Sequence, residues 1–173
     1  AASDVYKRQA QYGIGIGNYN DQHGVQSVSL GYLTNTESAA DYSILMGATG
    51  YLDQPYTVGL GYATSISGTR SIGVGASTVV SADSSLALGF GSSVSGSNSV
   101  AIGTGASTAQ NNSMVLGGAT TTDRVSVGIG TTTPNTNASL TLDDTDKGLL
   151  VNRLTTALRT TLGGSMGTTE EGM

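Results

Sequence analysis

Two columns of apolar residues recur along this chain at a fixed interval. The first is Ile14, Val28, Ile44, Val58, Ile72, Leu86, Val100 and Met114. The second lies two positions later, at Ile16, Leu30, Met46, Leu60, Val74, Leu88, Ile102 and Leu116. A glycine closes each pair: Gly17, Gly31, Gly47, Gly61, Gly75, Gly89, Gly103 and Gly117. Successive glycines stand 14 residues apart, except for one step of 16 between Gly31 and Gly47. Between the columns the residues are mostly small, as at Gly15, Ser29, Gly59, Gly73, Ala87 and Ala101. Alternation at period two is a strand pattern, so each unit begins with a short strand that ends at glycine.

A second alternating run follows, clearest as Thr64-Ser65-Ile66-Ser67-Gly68, Thr78-Val79-Val80-Ser81-Ala82 and Ser92-Ser93-Val94-Ser95-Gly96. It too ends on a small residue, and glycine at both corners suits tight turns with positive φ. Gly, Ser and Thr dominate and no 3.6-residue period appears, so helix is excluded here. Two strands and two turns per 14 residues predict an all-β, parallel β-roll with coils about 4.8 Å apart. So short a coil leaves room for a thin core only. The two columns are expected to serve as core and as packing between chains, which calls for self-association along the roll. Which column faces the inside is left open. The 16-residue unit "ADYSILMGATGYLDQP" is expected to bulge its two extra residues outward as a loop.

Composition narrows the class. The 173 residues include 26 Gly, no Cys, no Trp and one Phe, and 11% are charged. Disordered tails are more charged and poorer in Val and Ile. The net charge of −5 comes without a basic run, so the footprint of a nucleic-acid binder is missing. No stretch of about 18 apolar residues is present to span a bilayer, and no signal peptide is visible. Residues 1–11 share no pattern with the rest and are read as a leader outside the roll.

"NSVAIGTGASTAQN" (98–111), "SSLALGFGSSVSGS" (84–97) and "RSIGVGASTVVSAD" (70–83) resemble the 14-residue head repeat of YadA-like trimeric adhesins. The resemblance covers residues 12–124. It implies a left-handed roll and a homotrimer in which each chain's coils pack against the other two.

Beyond Gly117 the register breaks. Val127-Gly128-Ile129-Gly130-Thr131-Thr132-Thr133-Pro134, Lys147-Gly148-Leu149-Leu150 and Arg153-Leu154-Thr155-Thr156 resemble a segment common in phage tail and head fibres. Residues 125–173 are accordingly read as a fibre-type connector or cap, mostly β with one short helix. Strands are expected at Leu140–Leu142 and Leu149–Val151, with a turn from Asp143 to Asp146. Thr155 is the expected N-cap of a helix running through Leu162 and ended by Gly163-Gly164. The chain is expected to be a fragment of a longer fibre or its last ordered part.

Candidate chemistry is sparse. His23 is the single His, so a zinc site within one chain is not expected, although three copies could meet on a trimer axis. No nucleophile elbow accompanies it, and no enzyme is expected. The Gly-x-Gly pairs at 73–75, 89–91 and 103–105 lack the following helix and acid of a dinucleotide fingerprint, and are read as repeat corners. Asp144-x-Asp146-x-Gly148 lacks the remaining acids of a calcium loop and is read as a polar turn. No cofactor or metal is expected. The eight tyrosines all lie at or before Tyr62. Tyr12, Tyr42 and Tyr56 share one repeat position, and Tyr42 and Tyr56 should stack on adjacent coils. Together with Tyr51 they are the candidates for recognition of a host-cell glycan or protein. Residues 84–122 carry no charge and read as shaft. Two sequons, at Asn111 and Asn137, leave glycosylation open.

These readings converge on an extracellular, trimeric structural fibre, with a virion fibre preferred for its C-terminal segment. The head of a bacterial surface adhesin is the alternative, and a glycan-acting fibre enzyme is third.

Overall fold

A computed structural model describes residues 10–150, 153 and 155–158 of the chain. The chain divides into two compact units, one ending at Val125 and the other beginning at Ser126.

The first unit is a parallel β-solenoid. Its strands are β1 (Ile14–Asn18), β2 (Asp21–Gln22), β3 (Val28–Tyr32), β4 (Asn35–Thr36) and β5 (Ile44–Ala48). Next come β6 (Tyr51–Leu52), β7 (Val58–Tyr62), β8 (Ser65–Ile66), β9 (Ile72–Val74) and β10 (Val79–Val80). The series closes with β11 (Leu86–Leu88), β12 (Ser93–Val94), β13 (Val100–Ile102), β14 (Ser107–Thr108) and β15 (Met114–Leu116). Odd-numbered strands form an eight-stranded sheet and even-numbered strands a seven-stranded one, each in the order of the chain. All pairings are parallel. The register joins equivalent residues of neighbouring coils, Leu86 with Val100 and, across the longer unit, Val28 with Ile44.

The coil interior is built from residues that the columns flank. Leu45, Ala87 and Ala101 between the columns, and Leu52, Ile66, Val80 and Val94 from the second sheet, are fully buried. The columns themselves lie on the outer face, exposed at the end coils, as at Ile16 (56%) and Met114 (61%), and half-buried at Val28, Leu60 and Val100 among others. This corrects the expectation that the columns supply the coil's own core. The reason is the width of a 14-residue coil. Its two sheets leave little space between them, so a small residue on the long-sheet wall faces a branched one on the other in most coils, and Leu45 fits inside only because Gly50 leaves it room. A Cβ on Gly73 would already sit 3.2 Å from Ile66 Cδ1.

The corners also differ in part from expectation. The column glycines from Gly17 to Gly103 do adopt positive φ, between 119° and 147°. They stack so tightly that a Cβ on Gly61 would lie 2.1 Å from the carbonyl oxygen of Gly75. At the second corner, Gly68 and Gly96 do not have positive φ. They are small for lack of room, since a Cβ on Gly68 would lie 2.0 Å from the Ala82 carbonyl oxygen. The left-handed residue there comes two positions later and is usually not glycine: Tyr42, Tyr56, Arg70, Ser84 and Asn98 have φ between 54° and 60°. Such a conformation costs roughly 1–2 kcal/mol per residue. What offsets it is backbone bonding, because each of these N–H groups donates to a carbonyl of the preceding coil, Tyr56 to Asp41 and Asn98 to Asp83 among them.

A column of buried hydroxyls runs alongside. Ser27, Ser43, Thr57, Ser71, Ser85 and Ser99 each occupy the place just before the first apolar column, and all are buried. Ser85 Oγ accepts the Ser99 N–H at 3.2 Å and donates to the Gly96 carbonyl at 3.1 Å. Ser99 Oγ does the same with Ser113 N–H and the Gln110 carbonyl. Each hydroxyl therefore links two coils and leaves no polar atom of its own unpaired. The extra residues of the longer step lie just ahead of the stretch expected to carry them: they are Ser38 and Ala39, exposed at the corner after β4, where the Ala40 N–H closes a turn onto Glu37.

In the second unit, β16 (Val127–Ile129) pairs in parallel with β17 (Leu140–Leu142). The expected strand at Leu149–Val151 is not formed by Leu149 and Leu150, which lie outside any strand, and Val151 falls outside the described residues. The Leu140–Leu142 strand takes its partner from upstream, which leaves Leu150 89% exposed. Thr155 caps a helical turn at residues 156–158 by accepting the Leu158 N–H at 3.3 Å. The remainder of the expected helix lies outside the described residues.

The two classes of glycine predict different tolerances. Gly75→Ala places a Cβ 2.4 Å from the Gly89 carbonyl oxygen, whereas nothing lies within 4 Å of a Cβ on Gly91. Gly91→Ala should cost about 1–2 kcal/mol for its left-handed backbone. Gly75→Ala should cost clearly more, because backbone must move; urea denaturation of the two variants compares them directly.

Candidate functional site

The roll presents three surfaces with chemistry on them. The first is the outer face of the eight-stranded sheet. Both apolar columns lie on it, and strand pairing aligns them coil by coil from β1 to β15. Seven intervals of about 4.8 Å make a strip roughly 34 Å long. No charged residue interrupts either column. Contiguous exposed apolar surface of this extent marks an interaction face.

The second surface is the corner that carries the tyrosines. Tyr42 and Tyr56 stack as expected, with ring centroids 5.3 Å apart and planes within 4° of parallel. Both rings are more than half exposed, and Tyr12 is more exposed still. Their left-handed backbone turns the side chains away from the sheet. At the opposite corner Tyr19 and Tyr32 meet edge to face at 5.9 Å. That second pair was not anticipated, because the two rings occupy different repeat positions and no single column reveals them. Tyr51, the fourth candidate, lies apart from the stack on the other sheet, in β6.

The third surface is polar and surrounds Tyr51 on the first coils of the shorter sheet. His23, Glu37 and Asp53 occupy equivalent places on three successive coils. His23 Nε2 lies 3.3 Å from Asp21 Oδ1, and Asn35 Nδ2 donates to Glu37 Oε1 at 3.0 Å. Burial raises the Asp53 carboxyl above the ordinary carboxylate range, a backbone hydrogen bond opposes this, and neighbouring Glu37 adds to the rise. Tyr51 is raised in turn by burial and by the charges of Asp53 and Glu37. Asp83 goes the other way, because its carboxylate accepts the Thr69 N–H at 2.8 Å. In the second unit Lys147 Nζ lies 3.4 Å from Asp144 Oδ2, within the polar bend. Among the described residues these clusters hold carboxylates, one imidazole, amides and a phenol, joined by the hydrogen bonds and ion pairs given above.

A roll with an apolar strip on its outer face has the surface of a protein that associates with another surface along its length. Comparison with known proteins agrees. Residues 67–92 and 95–120 match the YadA head domain repeat in two copies, and residues 128–173 match a phage tail like trimerisation region. The chain therefore carries YadA head repeats followed by a trimerisation region, and its role is that of a trimeric adhesin or fibre. No curated protein and no solved structure is matched by the chain. Among the described residues no helix is long and apolar enough to cross a membrane.

Two measurements test these surfaces. The Tyr42–Tyr56 stack should contribute about 0.5–1.5 kcal/mol beyond area burial, read as the coupling energy of a double-mutant cycle with Tyr42→Ala and Tyr56→Ala. For Asp53, a carboxyl raised in the folded state contributes stability in acid that is lost as pH rises through its folded value. Asp53→Asn should therefore stabilise the protein at neutral pH, and its advantage should shrink below the ordinary carboxylate range. A thermal melt series across pH reads both arms.

Proposed function

We propose that this chain is part of a homotrimeric extracellular fibre whose roll is a rigid shaft and whose business is attachment rather than catalysis. The observation that carries this is the apolar strip, half-buried to exposed, that runs over eight successive coils ahead of a match to a trimerisation region. One chain cannot shield that strip, since its own second sheet already packs against the opposite wall. Parallel association of identical chains covers it along the whole length.

Within that class we favour a virion fibre, on the strength of the phage tail like region at 128–173. The exposed tyrosines Tyr12, Tyr42, Tyr51 and Tyr56 are the proposed contact with a host-cell glycan or protein, since Tyr offers large amphipathic area at low entropic cost. The YadA head repeats at 67–120 favour a second reading, the head of a bacterial surface adhesin. Mass spectrometry of purified virions and of bacterial surface fractions separates the two by where the chain is found.

The assembly itself is tested by analytical ultracentrifugation of the full chain, which should sediment at three times its 17.3 kDa. A stable monomer would overturn the reading.

A further inference from the structure

Resting on the trimer reading above, the exposed face also suggests how its parts are shared among the chains. Besides the two columns, a third set of side chains lies one residue past each column glycine, at the edge of the same sheet. Strand register places Tyr32, Ala48 and Tyr62 in line on successive coils. The sequence continues the line through Ala76 and Phe90. Aromatic and small residues therefore alternate, coil by coil. Tyr32, Tyr62 and Phe90 are all largely exposed.

The other corner shows what this alternation means. There Tyr42 and Tyr56 stand on consecutive coils, and they stack on one another at 5.3 Å. A ring laid flat along a face is wider than the spacing of about 4.8 Å between coils, so consecutive rings cannot both lie down. Alternation with alanine gives the Tyr62 ring the width of two coils, and leaves the Tyr32 ring free on the side away from Tyr19, which it meets edge to face. That arrangement suits rings pressed flat beneath a neighbour, not rings standing in solvent.

The first apolar column, at the opposite edge of the sheet, varies in the complementary sense over the four coils from Tyr32 to Ala76, and Leu86 on the Phe90 coil ends the pattern. It has Val28 and Val58 where the third line has tyrosine, and Ile44 and Ile72 where it has alanine. Around a three-fold axis with parallel chains, one edge of each sheet must meet the opposite edge of the next, because the contact is heterologous and closes into a ring.

We propose that the occupant of each edge is a second copy of this chain at the same height. In this seam Tyr32 and Tyr62 of one copy lie over Val28 and Val58 of the next, and Ile44 and Ile72 fill the spaces left by Ala48 and Ala76. The middle column, represented by Leu60, then faces the axis. The alternation acts as a register key: sliding one chain by one coil would set tyrosine against isoleucine and alanine against valine.

The chain has no cysteine, so introduced thiols report alone. In one chain, positions 58 and 62 are four residues apart along β7, about 13 Å, too far for a disulfide. Val58→Cys with Tyr62→Cys in the full chain should, on mild oxidation, yield covalent trimer on a denaturing gel, while either single variant stays monomeric. Leu60→Cys should yield covalent dimer at most, one thiol of three being left over. The pair Val28→Cys with Tyr32→Cys repeats the test two coils away, should the first pair impair folding. Sedimentation of the reduced proteins runs in parallel. Trimers by sedimentation without covalent trimer from either pair would overturn the seam alone. Monomers by sedimentation of the unmodified chain would overturn the trimer reading and the seam together.

Discussion

Hydrogen bonding from one coil to the next is the constraint on which the rest of this roll depends. A 14-residue coil must turn twice and still present its N–H and C=O groups to the coils above and below. Unpaired backbone groups inside would cost as much as the bonds they forgo. The glycine column, the left-handed corner residues and the buried hydroxyls are three answers to that single demand. Stacked glycines let backbone meet backbone. Residues such as Tyr56 and Asn98 accept an unfavourable φ because their N–H groups then reach the preceding coil. Ser85 and Ser99 stitch the same join with their side chains.

The second consequence is an inversion of the usual order of burial. The interior is narrow, so alanine, glycine and serine line one wall while Leu52, Ile66, Val80 and Val94 fill the space from the other. Leu45 of the long sheet is buried, and the larger aliphatic residues of that sheet's two columns are left on the outer face. In a self-contained domain that would be a liability, since exposed apolar patches of this size promote association. In a roll that carries YadA head repeats ahead of a trimerisation region, it is the means of assembly that we propose.

Much of this was legible in the sequence, and the limits have physical causes. The 14-residue interval, the strand positions, the parallel stacking and the Tyr42–Tyr56 pair follow from columns that any repeat exposes. The side on which the columns lie does not, because alternation at period two has two solutions and only coil width chooses between them. The role of Gly68 was misjudged for a related reason: glycine serves both for positive φ and for lack of space, and composition does not separate the two. Left-handed Tyr42 or Arg70 leaves no mark in sequence at all. The serine column was available as a pattern, Ser or Thr four residues before most column glycines, but polar residues beside an apolar stripe are easily read as surface. In the second unit, Leu149-Leu150 had strand-like chemistry, yet Val127–Ile129 had already taken the place beside Leu140–Leu142.

The longer unit between Gly31 and Gly47 shows where such a rod can change. Its two added residues, Ser38 and Ala39, sit at a corner, and the ladders on either side keep their register across them. A strand has no such slack, because one more residue there would exchange inside for outside along the whole coil. A change of length in such a roll is thus accommodated at the corners after the short strands, where it leaves both ladders in register. Those corners are the natural ports at which new loops, and with them new specificities, can be grafted onto an otherwise unchanged shaft.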